Sequence, residues 1–170
     1  MFWLVEDNKQ LEDFKEHCRG EAFIEVIPYN NVVHPTQNEI CAIYIHPLNS
    51  TKGYMITISH SETLNIDLNA VKHVLNSINK IYVRDKKEFL HYLIFKNLFD
   101  ITLNPPTYIQ EYTKTHNYFY NKHSQREDIN RIIPIVKHYE HCENMFNELK
   151  EKINEPINVN FNTHLVFTIM

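Results

Sequence analysis

The residues of this 170-residue chain that could do chemistry fall into a few groups. Lys80, Arg84, Lys86, Lys87 and Lys96 are gathered around one predicted strand end. Cations placed just beyond a strand's C-terminal end sit where open α/β sheets form clefts, and there Arg84, Lys86 and Lys87 would contact backbone phosphates. The competing role for such a charge run is a solvated helix start. Further on, Tyr108, Tyr112, Tyr118, Phe119 and Tyr120 interleave with Lys114, His116, Lys122 and His123. Rings alternating with cations can stack single-stranded bases. Tyr108, Tyr112 and Phe119 also fall near one helical face, which favours packing on the core. His138, His141 and Cys142 offer three soft ligands within one helical turn, but only His138 and Cys142 share a face. With neither a CxxC nor an HExxH pattern, a helix in ordinary packing explains them better than zinc does. No nucleophile elbow marks a Ser-His-Asp arrangement, and two glycines leave little for a phosphate-cradling loop.

Composition bounds the partners. Seventeen basic and 21 acidic residues give a net charge of −4, which argues against coating a duplex with the whole surface. The charge is uneven: residues 1–30 hold 3 basic and 7 acidic groups, and residues 80–137 hold 10 basic and 6 acidic. Three cysteines, Cys18, Cys41 and Cys142, form no CxxC pair, which predicts a reducing compartment and a cytoplasmic location. The N-terminus lacks the basic region of a secretory signal, and no apolar run approaches the length of a membrane span, so no membrane partner is expected.

The elements that position these groups follow from periodicity. FWLVE reads as a short strand, and Asp7 or Asn8 caps a helix carrying Leu11 and Phe14. AFIEVIPY at 22–29 is a second strand, with Phe23, Glu25 and Ile27 on one face and Ile24 and Val26 on the other. ICAIYIH at 40–46 and YMITIS at 54–59 continue it as an antiparallel meander. The period then changes: Leu68, Val71, Val74, Leu75 and Ile78 form a helical stripe, KIYVR at 80–84 a strand, and 86–97 an amphipathic helix. Such a strand–helix–strand run predicts parallel pairing through a right-handed crossover. Phe99–Ile101 is expected as a last short strand, Tyr108–His123 as helical, and Glu127–Ile153 as one long helix kinked at Pro134.

In this layout the resemblance becomes specific. FWLVEDNKQLEDF, AFIEV and NEICAIYIHP, followed by KIYVRDKKEFLHYL and LFDITL, resemble in order the 3′–5′ exonuclease domain of family A DNA polymerases, most closely the phage type. The resemblance implies an α/β, ribonuclease H-like fold: a mixed five-stranded sheet of an antiparallel meander plus a parallel strand, with flanking helices and a helical C-terminal part. It also implies a two-metal site held by four carboxylates, which activates water and stabilises the leaving oxygen. This chain departs from that set. The D-x-E position reads Phe23-Ile24-Glu25, the H-N pair reads Arg84-Asp85, and the F-D acid falls on Phe89, beside Glu88. The last motif, Y-x-x-x-D, reads Tyr120 to Ser124 or shifts to Asp128. Asp100 matches a structural aspartate rather than a ligand.

The resemblance therefore implies an exonuclease-like domain over residues 1–153 without catalysis, structural or contacting single-stranded DNA in replication, with no bound metal. An active enzyme would use Mg²⁺ on Glu25, Asp85 or Glu88, Asp100 and Asp128. A module for protein interaction without nucleic acid is the third reading. In the inactive case Glu25 is a strand acid at a sheet edge or paired with a lysine. Residues 154–170 are expected to lead toward a following polymerase domain. Leu165, Val166, Phe167, Ile169 and Met170 would start a helix there, and otherwise lie on the helix of 127–153 or against a second copy.

Overall fold

The computed structural model describes residues 3–29, 38–96, 98, 108–111, 126–128, 131–153 and 163–165, with backbone only at 108, 126–128, 131–132 and 163–165. The strands are β1 (Trp3–Val5), β2 (Gly20–Pro28), β3 (Ile40–Pro47), β4 (Tyr54–Thr57), β5 (Ile78–Val83), β6 (Tyr108–Glu111), β7 (Arg126–Asp128), β8 (Arg131–Ile132) and β9 (Thr163–Leu165). The helices are α1 (Asn8–Lys15), α2 (Leu68–Leu75), α3 (Lys86–Phe95) and α4 (Ile135–Ile153). Seven strands form one mixed sheet in the order β1-β4-β3-β2-β5-β6-β9, and β7 and β8 pair separately. The meander β2-β3-β4 is antiparallel, and β5 runs parallel to β2, as expected from the patterning.

Alternation along β2 divides the core into two layers. Ala22, Ile24 and Val26 join a cluster with Leu11 and Phe14 of α1, Val71 and Val74 of α2, and Phe89 and Leu93 of α3. Phe23 and Ile27 join the other cluster, with Tyr139, Cys142, Met145 and Phe146 of α4. Among the described residues, the sheet is thus covered by three helices on one side and one on the other. β2 and β3 lie inside and are apolar almost throughout, as strands buried on both faces must be.

Aspartates start three of the helices. Asp7, Asp67 and Asp85 each take a backbone N–H two or three residues on, from Gln10, Asn69 and Glu88. Their short carboxylates satisfy first-turn donors that have no partner within the helix. Gly20, with φ +79°, makes the turn from α1 into β2, a conformation that costs glycine nothing.

The described residues depart from expectation in six places. The sheet has seven strands, not five. Tyr108–Glu111, expected to be helical, pairs parallel with β5 and buries Ile109; a four-residue strand is too short to display a period. Thr163–Leu165, at the start of the apolar tail expected to form a helix, pairs antiparallel with β6, and the rest of the tail lies outside the described residues. The long helix begins at Ile135, not Glu127, because Arg126–Asp128 and Arg131–Ile132 pair as the β7–β8 ribbon. Pro134 does not kink it. Standing just before the first turn, where a missing N–H costs nothing, it accepts from Lys137 through its carbonyl. Ile78 belongs to β5 rather than to the helical stripe. The expected strand at Phe99–Ile101 and most of 108–123 lie outside the described residues. Among the described residues, no helix is long and apolar enough to cross a membrane.

Candidate functional site

Parallel pairing of β2 with β5 builds the site. The register sets Phe23 opposite Tyr82. Two residues further along each strand, Glu25 and Arg84 come together, although 59 positions separate them in sequence. Glu25 projects from the face of β2 that α4 covers. Arg84 follows the last residue of β5 and precedes the Asp85 cap of α3.

Arg84 is buried, 1% exposed. Its Nε and Nη2 both donate to Oε2 of Glu25, at 3.1 and 3.0 Å. Nη2 also donates to Oε1 of Glu88, one turn into α3, at 3.2 Å. Burial opposes the charge on the guanidinium, but the carboxylates of Glu25 and Glu88 outweigh it and hold its pKa above the ordinary value. One cation is thus clamped between two acids from different elements. Glu25 stands in the fourth of seven strands, not at the sheet edge, and its partner is an arginine.

On the α4 side, a cavity of about 10 Å³ adjoins Glu25, lined by His138, His141, Cys142 and Met145. That is room for about one water. Burial, reinforced by Glu25, pushes the Cys142 thiol well above its usual range, so it stays protonated. Among the described residues, no group of three or more His, Cys, Asp or Glu side chains is arranged to hold a metal ion.

The other expected site residues are dispersed. Asp85 acts as the α3 cap, its Oδ1 accepting from the Glu88 N–H at 3.1 Å. Phe89, at the position of an expected acid, points away from Glu25 into the core on the far side of the sheet. Asp100 lies outside the described residues, and Asp128 lies in β7 of the separate ribbon, with its side chain outside the described set. The phosphate-contacting trio also separates. Arg84 faces inward onto its two carboxylates, and Lys87 is exposed. Among the described residues the Lys86 ammonium is buried without a hydrogen-bond partner, its pKa lowered by burial and only partly restored by Glu111. Glu111 instead accepts from the Lys86 backbone N–H at 2.9 Å, tying β6 to the start of α3.

Glu88, expected as a ligand in the active reading, completes the clamp, and its i,i+4 spacing from Arg84 was the available signal for that pairing. One contributor was not anticipated from sequence. Glu62 accepts from the backbone N–H of Ile135 at 3.3 Å and so caps α4 from a distant loop, a role with no local signature.

No protein-family model matches this chain, and no curated protein sequence is significantly similar to it. Solved structures are similar in fold. A nuclease solved in its apo form aligns over 89% of this chain and 78% of its own, with a TM-score of 0.50 and 10% identity. The EXO domain of Nibbler from Aedes aegypti aligns over 93% and 77%, with a TM-score of 0.48 and 10% identity. RNase D of Escherichia coli, an exoribonuclease involved in structured RNA processing, aligns over 55% of this chain, with a TM-score of 0.41 and 11% identity. The chain spans about a quarter, 24%, of that protein's length. What it has in common with the apo nuclease is the fold, a mixed α/β sheet with flanking helices.

Proposed function

We propose that this chain is an exonuclease-like domain without phosphodiester hydrolysis, serving as a structural or DNA-contacting module. The observation that carries the reading is the Arg84 clamp. A pair of divalent ions needs several converging hard oxygens around an open, hydrated space. Here the two carboxylates that converge, Glu25 and Glu88, already neutralise a buried guanidinium. Phe23 stands where the resemblance calls for a first acid, and the adjoining cavity holds about one water. Residues of this kind do not fit the metal pair. Arg84 takes the electrostatic role of the cation and preserves the fold around acids that would otherwise repel. The order of the segments further supports placing the domain beside a DNA polymerase of family A, where a non-catalytic exonuclease domain would brace the replicating module.

The test combines Mn²⁺ titration by calorimetry with digestion of end-labelled single-stranded DNA and RNA in Mg²⁺ or Mn²⁺. The expected results are no stoichiometric ion binding and no shortening of either strand. Metal-dependent digestion that Glu25→Gln abolishes would overturn the reading and establish the active exonuclease instead.

A further inference from the structure

A second cavity lies away from Arg84, between β1, β4 and α1. It measures about 300 Å³, and aromatic side chains dominate its lining: Trp3, Phe14 and Tyr54. The rings form a connected wall, with centroids 4.5 Å apart for Phe14 and Tyr54 and 5.8 Å apart for Trp3 and Tyr54. Trp3 is 45% exposed, on an edge strand. The polar groups of the lining are Gln10, Asp13 and His17. Among the described residues, no lysine or arginine lines it and Asp13 makes no ion pair. His17 donates through Nδ1 to the Asp13 carbonyl at 2.9 Å.

We propose that this cavity docks an arginine side chain presented by a basic segment of a partner protein. Electron-rich ring faces attract cations, and a planar guanidinium also stacks on them and pairs with a carboxylate. The Trp3 ring already attracts one cation, the Lys52 ammonium, 5.3 Å from its centroid. The surroundings match in sign: across residues 6–16, which run beside the cavity, the five acids Glu6, Asp7, Glu12, Asp13 and Glu16 outnumber Lys9 and Lys15. Glu12, Asp13 and Glu16 are exposed on or beside α1. Such a surface repels a phosphate backbone and draws a basic peptide. The cavity is independent of the Arg84 clamp, so the proposal stands whether or not that site catalyses.

Trp3 is the only tryptophan, so intrinsic fluorescence reports directly on the cavity. The whole chain is titrated with a fluorescein-labelled peptide of five Gly-Arg repeats, with a Gly-Glu peptide and a dT20 strand as controls. Anisotropy of the label and Trp3 emission are both recorded. Saturable binding of the arginine peptide, with a parallel change in Trp3 emission and no binding of either control, is expected. Trp3→Ala and Asp13→Asn, both at exposed positions, should each weaken it about tenfold or more, read from anisotropy, with unchanged circular dichroism. Unsaturable binding, tighter binding of dT20, or equal affinity in Asp13→Asn would each overturn the proposal.

Discussion

Replacing Arg84 by methionine tests what the clamp contributes. The substitution keeps an unbranched apolar stem and removes the guanidinium, leaving the Glu25 carboxylate, 9% exposed, to face the interior without it. Removing one partner of a buried ion pair costs about 3–5 kcal/mol, because the other charge stays desolvated. Arg84 has more to lose than an average pair, since it satisfies Glu88 as well as Glu25. Glu88 is 14% exposed at the start of a helix and can turn toward water, so the penalty centres on Glu25. Glu25→Leu alone should cost a similar amount, stranding the guanidinium. The double variant, Arg84→Met with Glu25→Leu, removes both charges and places two apolar groups against the α4 cluster. Its stability should lie within about 1 kcal/mol of the parent or above it, because a well-packed apolar pair competes with a buried ionic one. Urea unfolding followed by far-ultraviolet circular dichroism measures all four proteins at constant m-value. A loss below about 1 kcal/mol for Arg84→Met, or a double loss equal to the sum of the singles, would refute the clamp as the organising charge of this site.

Three further outcomes follow from the same geometry. His46 is 2% exposed, accepts from the Tyr44 hydroxyl at 2.7 Å and donates to the Ser50 carbonyl at 3.0 Å. Burial, opposed by Ser50 and aided by Lys150, lowers its pKa to about 4. The unfolded chain therefore takes up the proton first, and stability should fall by up to about 3 kcal/mol as pH drops from roughly 6.5 to 4, a slope that His46→Gln reduces in urea midpoints measured across that range. Gly53→Ala drives a methyl into the Tyr44 ring, which Tyr139 and His46 hold in place, and should cost about 1–3 kcal/mol in thermal melts. If single-stranded DNA is held by the 80–96 face, Lys87→Ala should reduce the slope of log affinity against log salt by about 0.7, whereas an unchanged slope moves the contact elsewhere.

The sequence by itself determined the elements with a strong period. The alternation of Phe23, Glu25 and Ile27 against Ile24 and Val26 correctly predicts which side chains share each face of β2. The stripe from Leu68 to Leu75 and the amphipathic run of 86–97 correctly predict α2 and α3. Those patterns are local, because a side chain's direction follows from its position in a strand or helix. Only the tertiary structure decided the rest. β6 and β9 span four and three residues, too few for a period, and they become strands because neighbouring edges offer unpaired backbone groups. The long helix starts just after Pro134, a local start signal, but its cap from Glu62 of a distant loop is encoded by nothing between residues 127 and 135. Most consequential is Arg84. Its neighbourhood in sequence is a run of lysines and acids, the signature of a wetted helix start. The parallel register of β2 and β5 carries it inward onto Glu25, and the choice between a solvent cation and a buried clamp is made by that long-range pairing, which no local spacing records.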